Sequence, residues 1–243
     1  MMLMIDIGNS RIKYAVWQDD AWRNYCSQEY SHEALQKQFD QFFGGIAVRA
    51  VYVACVVDDV KAFLADWFQK NWCIQPIFAS ATSEACGVTN AYEKVSALGV
   101  DRWLAMLAAY EKFRLPVCVI DCGTAVTLDV VDGNGMHRGG LIMPGLKMMR
   151  ESLINNTSKI DVSKGDLVDL ANNTADAVES GSVRLLVSGL DKLVRQQQEK
   201  FADMLCVITG GDGQFVAGRM EIKALYIETL VLDGLRLFAT RNC

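Results

Sequence analysis

Short apolar runs of strand length alternate along the chain with amphipathic stretches of helical period, the pattern of an α/β protein. Residues 2–7 and 12–17 flank Gly8-Asn9 and predict a β-hairpin, followed by a strand over 21–27. Leu35, Phe39, Phe42 and Phe43 then recur at helical spacing within 32–43. Residues 50–57 are apolar throughout, which suits a strand covered on both faces. Asp58 or Asp59 is placed to cap a helix reaching about 71, and 74–79 returns to strand. The polar, turn-rich stretch 80–98 reads as a hinge before a helix carrying Trp103, Leu104, Leu107 and Ala108. Two further strands, 116–121 and 125–131, surround a second glycine turn, and a third follows at 137–143. Helices over 145–154 and 174–200, a strand over 204–208 and a last helix over 228–240 complete the pattern.

The second hairpin repeats the first. Met4-Ile5-Asp6-Ile7-Gly8-Asn9 superposes on Val119-Ile120-Asp121-Cys122-Gly123-Thr124 at an offset of 115 residues. Two similar domains are therefore expected, 1–114 and 115–243. Each opens with a hairpin whose tip carries Asp, Gly and a small polar residue, and paired tips of this kind would face each other across a ligand-binding cleft.

Composition narrows the chemistry. The 243 residues are 51% hydrophobic and 22% charged, which excludes disorder and allows a sizeable core. A net charge of -5 with scattered basic residues leaves no electrostatic footprint for nucleic acid, so an anionic ligand must be gripped locally. The eight Cys show no CxxC spacing, and Cys55, Cys118 and Cys206 lie in apolar runs as buried thiols of a reducing compartment. The two histidines, His32 and His137, cannot build a zinc cage. No basic leader or long uncharged apolar run is present, so a soluble cytoplasmic protein is expected.

A glycine at each hairpin tip lets main-chain N–H groups approach phosphate oxygens, while the preceding Asp can hold a cation or its waters. One such Asp would serve equally as an ordinary turn residue; the duplicated register favours phosphate handling. Lys13 can bring positive charge toward a β- or γ-phosphate. Thr209-Gly210-Gly211-Asp212-Gly213 ends the last strand and opens a helix. Neither GxGxxG nor GxxxxGK[ST] occurs, which disfavours Rossmann and Walker folds.

Taken together, the two Asp-Gly hairpins and the late Thr-Gly-Gly resemble the phosphate 1, phosphate 2 and adenosine motifs of the acetate and sugar kinase, Hsp70 and actin superfamily. Within it, the chain resembles the type III pantothenate kinases through DIGNSRIK at 6–13, LGVDRW at 98–103, IDCGTAVTLDVVDGNG at 120–135, GGLIMPG at 139–145, NTADAVESG at 173–181 and TGGDG at 209–213. The resemblance implies two actin-like (ribonuclease H-like) α/β domains with mixed sheets flanked by helices, a cytoplasmic homodimer, and transfer of the γ-phosphoryl of ATP to pantothenate. It further implies Asp101 as the base, Tyr92, Gly99, Val100, Asp101, Arg102 and Thr174 as substrate contacts, and Asp6, Ile7, Gly8, Asn9, Ser10, Arg11, Ile12, Lys13 and Thr124 around ATP. Asp6 would position magnesium through water, and Asp121 would hold potassium or ammonium. Arg102 is suited to fork a carboxylate, and Thr174 also reads as a helix cap. One departure is Val95, where the family pattern has proline. Two alternatives stay open: a non-catalytic nucleotide-binding regulatory protein, and a kinase of this fold with another hydroxylated acceptor.

Overall fold

A computed structural model describes residues 1–31, 35–43, 48–157 and 165–241; His32, the expected helix start at 32–34 and Cys243 lie outside them. In chain order the elements are β1 (Met2–Ile7), β2 (Arg11–Gln18), β3 (Ala21–Glu29), α1 (Leu35–Phe43), β4 (Ala50–Cys55), α2 (Asp58–Trp72), β5 (Ile77–Phe78), β6 (Glu84–Ala85), β7 (Val88–Thr89) and α3 (Val100–Phe113). They continue as β8 (Val117–Cys122), β9 (Ala125–Val131), β10 (His137–Pro144), α4 (Leu146–Asn156), α5 (Thr174–Gln198), β11 (Leu205–Thr209), α6 (Gly213–Ala217), β12 (Ala224–Tyr226) and α7 (Leu230–Arg241).

The chain divides into two compact units, one formed by Met1–Lys112 with the segment from Thr229 onward, the other by Phe113–Glu228. Each holds a five-stranded mixed sheet, ordered β3-β2-β1-β4-β5 in the first and β10-β9-β8-β11-β12 in the second. The orders correspond strand for strand: three antiparallel strands, then two parallel additions. The parallel crossovers are carried by helices, as right-handed βαβ geometry demands.

In the first unit the sheet packs on an aromatic cluster of Phe39, Phe43, Trp67 and Phe68, with the Phe39 and Phe43 rings 5.0 Å apart and inclined at 64°. Each fully buried ring contributes about 1.5–3 kcal/mol. In the second, Ile120, Leu128, Ile208, Leu186 and Leu190 lie in one core between sheet and α5.

Several expectations need correction. Neither Asp58 nor Asp59 caps α2: the cap position is Val57, which offers no side-chain acceptor, and both carboxylates sit in the first turn where the helix dipole favours them. The cap of α5 is Asn173, which accepts from Asp176 N at 2.9 Å, so Thr174 is the first helical residue instead. The stretch 80–98 lies wholly within the first unit as the β6–β7 hairpin and a 3-10 turn at Val95–Ala97. The last helix, expected with the second domain, packs in the first. Trp22 Nε1 donates to Asp233 Oδ1 at 2.9 Å, and Gly234 lies directly on the Leu104 carbonyl, where a Cβ would collide. Cys55, Cys118 and Cys206 are buried and free, whereas Cys86 is disulfide-bonded. Among the described residues no helix is long and apolar enough to cross a membrane.

Candidate active site

The first hairpin tip follows from β1 and β2. Asp6 is buried at 7% exposure and faces Lys13 across the strand pair, with Nζ 3.9 Å from Oδ2. Gly8 N donates to Arg11 O at 3.0 Å to close the turn, and the Tyr30 hydroxyl donates to Gly8 O at 2.8 Å. Ile7 and Ile12 are sunk in the core, so only their main chain can reach a ligand. Asn9 is exposed and Ser10 half-buried, while Arg11 pairs with Glu29 at 3.5 Å. Gly8 is not left-handed, and a Cβ there would meet only Arg11 O at 3.7 Å. The chain's own packing therefore does not demand glycine at this bend; the missing side chain leaves the backbone approachable.

The second tip is more constrained. Gly123 N donates to Ala125 O at 3.1 Å, and Thr124 O accepts from Gly145 N at 3.1 Å. Gly145 starts α4 so close to the Gly123 and Thr124 carbonyls that no side chain fits. Gly210, at φ +94°, lies equally close to the Asp121 carboxylate and the Cys122 carbonyl, and Asp212 N donates to Cys122 O at 3.0 Å. The late Thr-Gly-Gly run is thereby fastened to the second hairpin. Burial, then the charges of Asp121 and Asp212, push the Cys122 thiol up, so it stays protonated and is no nucleophile.

Back in the first unit, α3 carries the third group. Asp101 Oδ1 accepts from Arg102 N at 2.8 Å and folds over Gly99, where a Cβ would come within 2.6 Å of it. The buried Arg102 donates through Nη1 to the Tyr92 hydroxyl at 2.9 Å, and its Cζ lies 5.6 Å from the Tyr92 ring centroid. Tyr92 is itself placed by a bond from its N to Asn90 Oδ1 at 2.9 Å. Val100 is buried, and Thr174 is exposed on the second unit. Tyr92, Gly99, Asp101 and Arg102 thus come together within one unit. Asn90, which no motif marks, was detectable only as an Asx-type turn residue two positions before the tyrosine.

Two sheets of the same order, each opened by an Asp-Gly hairpin, define an actin-like fold. A solved structure from Sinorhizobium meliloti, described as a candidate 2-dehydro-3-deoxygalactonokinase, superposes with a TM-score of 0.56 at 12% identity over 97% of this chain and 89% of that one. One from Campylobacter jejuni, described as a candidate Baf family transcriptional activator, gives 0.63 at 24% identity over 99% and 98%. The sequence is more specific. The family model for type III pantothenate kinase matches residues 2–196. The type III pantothenate kinase of Nitrosococcus oceani is 35% identical over 97% of this chain and 92% of its own length. The chain belongs to the type III pantothenate kinase family, whose activity is ATP-dependent phosphorylation of pantothenate in coenzyme A biosynthesis.

Proposed function

We propose that this chain phosphorylates pantothenate with Asp101 as the base that takes the proton of the acceptor hydroxyl. Arg102 forks the pantothenate carboxylate, with Tyr92 and the main chain of Gly99 and Val100 completing the acceptor pocket and Thr174 adding a further contact. What supports the reading is the Tyr92–Arg102 pair beside a helix-initiating carboxylate. It supplies a charged, pre-oriented anion receptor next to a proton acceptor, the two groups a hydroxy acid needs for in-line transfer.

The nucleotide is held by the main chain from Asp6 to Lys13 and by Thr124. Lys13 Nζ lies 3.9 Å from Asp6 Oδ2. The carboxylate is the group for metal-bound water, and the ammonium the group for a phosphate. Magnesium, when bound with ATP, neutralises charge developing on the phosphoryl oxygens. Asp121 takes a monovalent cation. Homodimerisation uses the second unit, where α4, α5 and Pro144 line an apolar groove of about 530 Å³ that includes the exposed Met148, Leu153 and Leu185.

A coupled assay with ATP, pantothenate, magnesium and potassium tests the activity. Turnover confined to pantothenate is expected; turnover of another hydroxylated acid with pantothenate inert would overturn the acceptor. Sedimentation of wild type and Leu185→Glu tests the dimer, with a monomeric variant expected.

A further inference from the structure

Because the two sheets match strand for strand, the surroundings of their hairpin carboxylates can be compared position by position. In the first unit the row through Asp6 runs from Ala54 on β4 through Asp6 on β1 to Lys13 on β2. In the second, the row through Asp121 runs from Thr209 on β11 through Asp121 on β8 to Thr127 on β9. Lysine and alanine have both been replaced by threonine. The three side chains of the second row share one face, because the alternate residues Ile120, Cys122, Val126, Leu128 and Ile208 fill the core on the other.

Thr209 is 0% exposed, and its Oγ1 has no hydrogen-bond partner. A buried hydroxyl left in that state opposes folding, and its in-register neighbour is a carboxylate pressed against Gly210. Oxygen is the only donor type in the row. No three His, Cys, Asp or Glu gather anywhere among the described residues, as a divalent or transition ion would favour. One carboxylate flanked by neutral hydroxyls balances a single positive charge.

We propose that Thr209 Oγ1, with Thr127 Oγ1 on the opposite side of the carboxylate, ligates the monovalent cation at Asp121. The proposal rests on the reading that Asp121 holds such an ion, and adds to it two ligands.

The test is ion binding by the purified full chain without substrates. It is read as the rise in unfolding temperature when potassium chloride replaces choline chloride at equal ionic strength, and as thallium(I) affinity by direct titration. Wild type is expected to show both, and Asp121→Asn neither. Thr209→Val keeps the volume and removes the orphaned hydroxyl. It is expected to unfold no lower than wild type in choline, yet to bind thallium at least about tenfold more weakly; Thr209→Ser should retain the affinity. Thr127→Lys, which restores the residue of the first unit, is expected to lose the potassium rise.

If wild type ignores potassium, the Asp121 reading falls and this proposal with it. If Asp121→Asn loses the ion but Thr209→Val binds like wild type, the reading stands and the role of Thr209 is overturned. A Thr209→Val chain destabilised equally in both salts, with unchanged thallium affinity, would show a packing role and overturn it as well.

Discussion

Arg102 and Tyr92 are joined twice, by a 2.9 Å hydrogen bond from Nη1 to the phenol oxygen and by a guanidinium lying 5.6 Å from the ring centroid. Both contacts fix the plane of the guanidinium, and a planar fork is what a carboxylate requires. Arg102→Lys keeps the charge and loses the plane. The KM for pantothenate should rise about 10- to 100-fold with a smaller change in kcat. Tyr92→Phe, which removes one hydrogen bond, should raise it about fivefold. Steady-state kinetics at saturating ATP check both.

Asp101→Asn leaves an oxygen to accept from Arg102 N but no base. We expect kcat to fall about 10²- to 10⁴-fold, with ATP affinity unchanged and stability within about 0.5 kcal/mol of wild type. Single-turnover assays, nucleotide titration and thermal unfolding together separate the chemical role from the structural one. A near-normal kcat would remove Asp101 from the reaction.

Glycines that look alike in sequence should respond with opposite signs. Gly145→Ala places a methyl against the Gly123 and Thr124 carbonyls, and Gly210→Ala adds a left-handed backbone to a similar clash. Each should cost more than about 2 kcal/mol. Gly189, inside α5 with nothing within 4 Å of a built Cβ, should gain about 0.5–1 kcal/mol on substitution by alanine. Denaturant titration of the three variants decides.

The buried thiols predict the alkaline limit. Burial, then the Asp191 charge, pushes Cys206 up to about 12, and burial followed by Cys206 and Asp129 raises Cys118 as well. A folded-state value above the unfolded one, about 8.5, means that the native state holds the proton more tightly. The corresponding stability is complete below about pH 8.5 and is lost as pH climbs toward the folded value. The unfolding temperature should therefore decline above pH 9, less steeply for Cys206→Ala. At pH 8 a thiol reagent should label the exposed Cys73 and spare Cys118, Cys122 and Cys206 until the chain is denatured.

The hairpins at Gly8 and Gly123 are legible in the sequence because a change from period 2 to a glycine turn and back is a strong signal, and its duplication is what marks the two bends as a candidate site. The strands Ile77–Phe78 and Ala224–Tyr226 are too short to show alternation and exist only through their parallel neighbours. Periodicity shows that α7 has a buried face and says nothing of which sheet buries it; Trp22 and Leu104 decide that. The opposition of Thr209 to Asp121 depends on the register of β11 against β8, which no local pattern encodes.

Ile7 and Ile12, on either side of the first bend, are anchored in the hydrophobic interior. Conformational entropy at this bend is thus surrendered when the chain folds, and little is left for a ligand to freeze out, in contrast to a loop that must first be tamed.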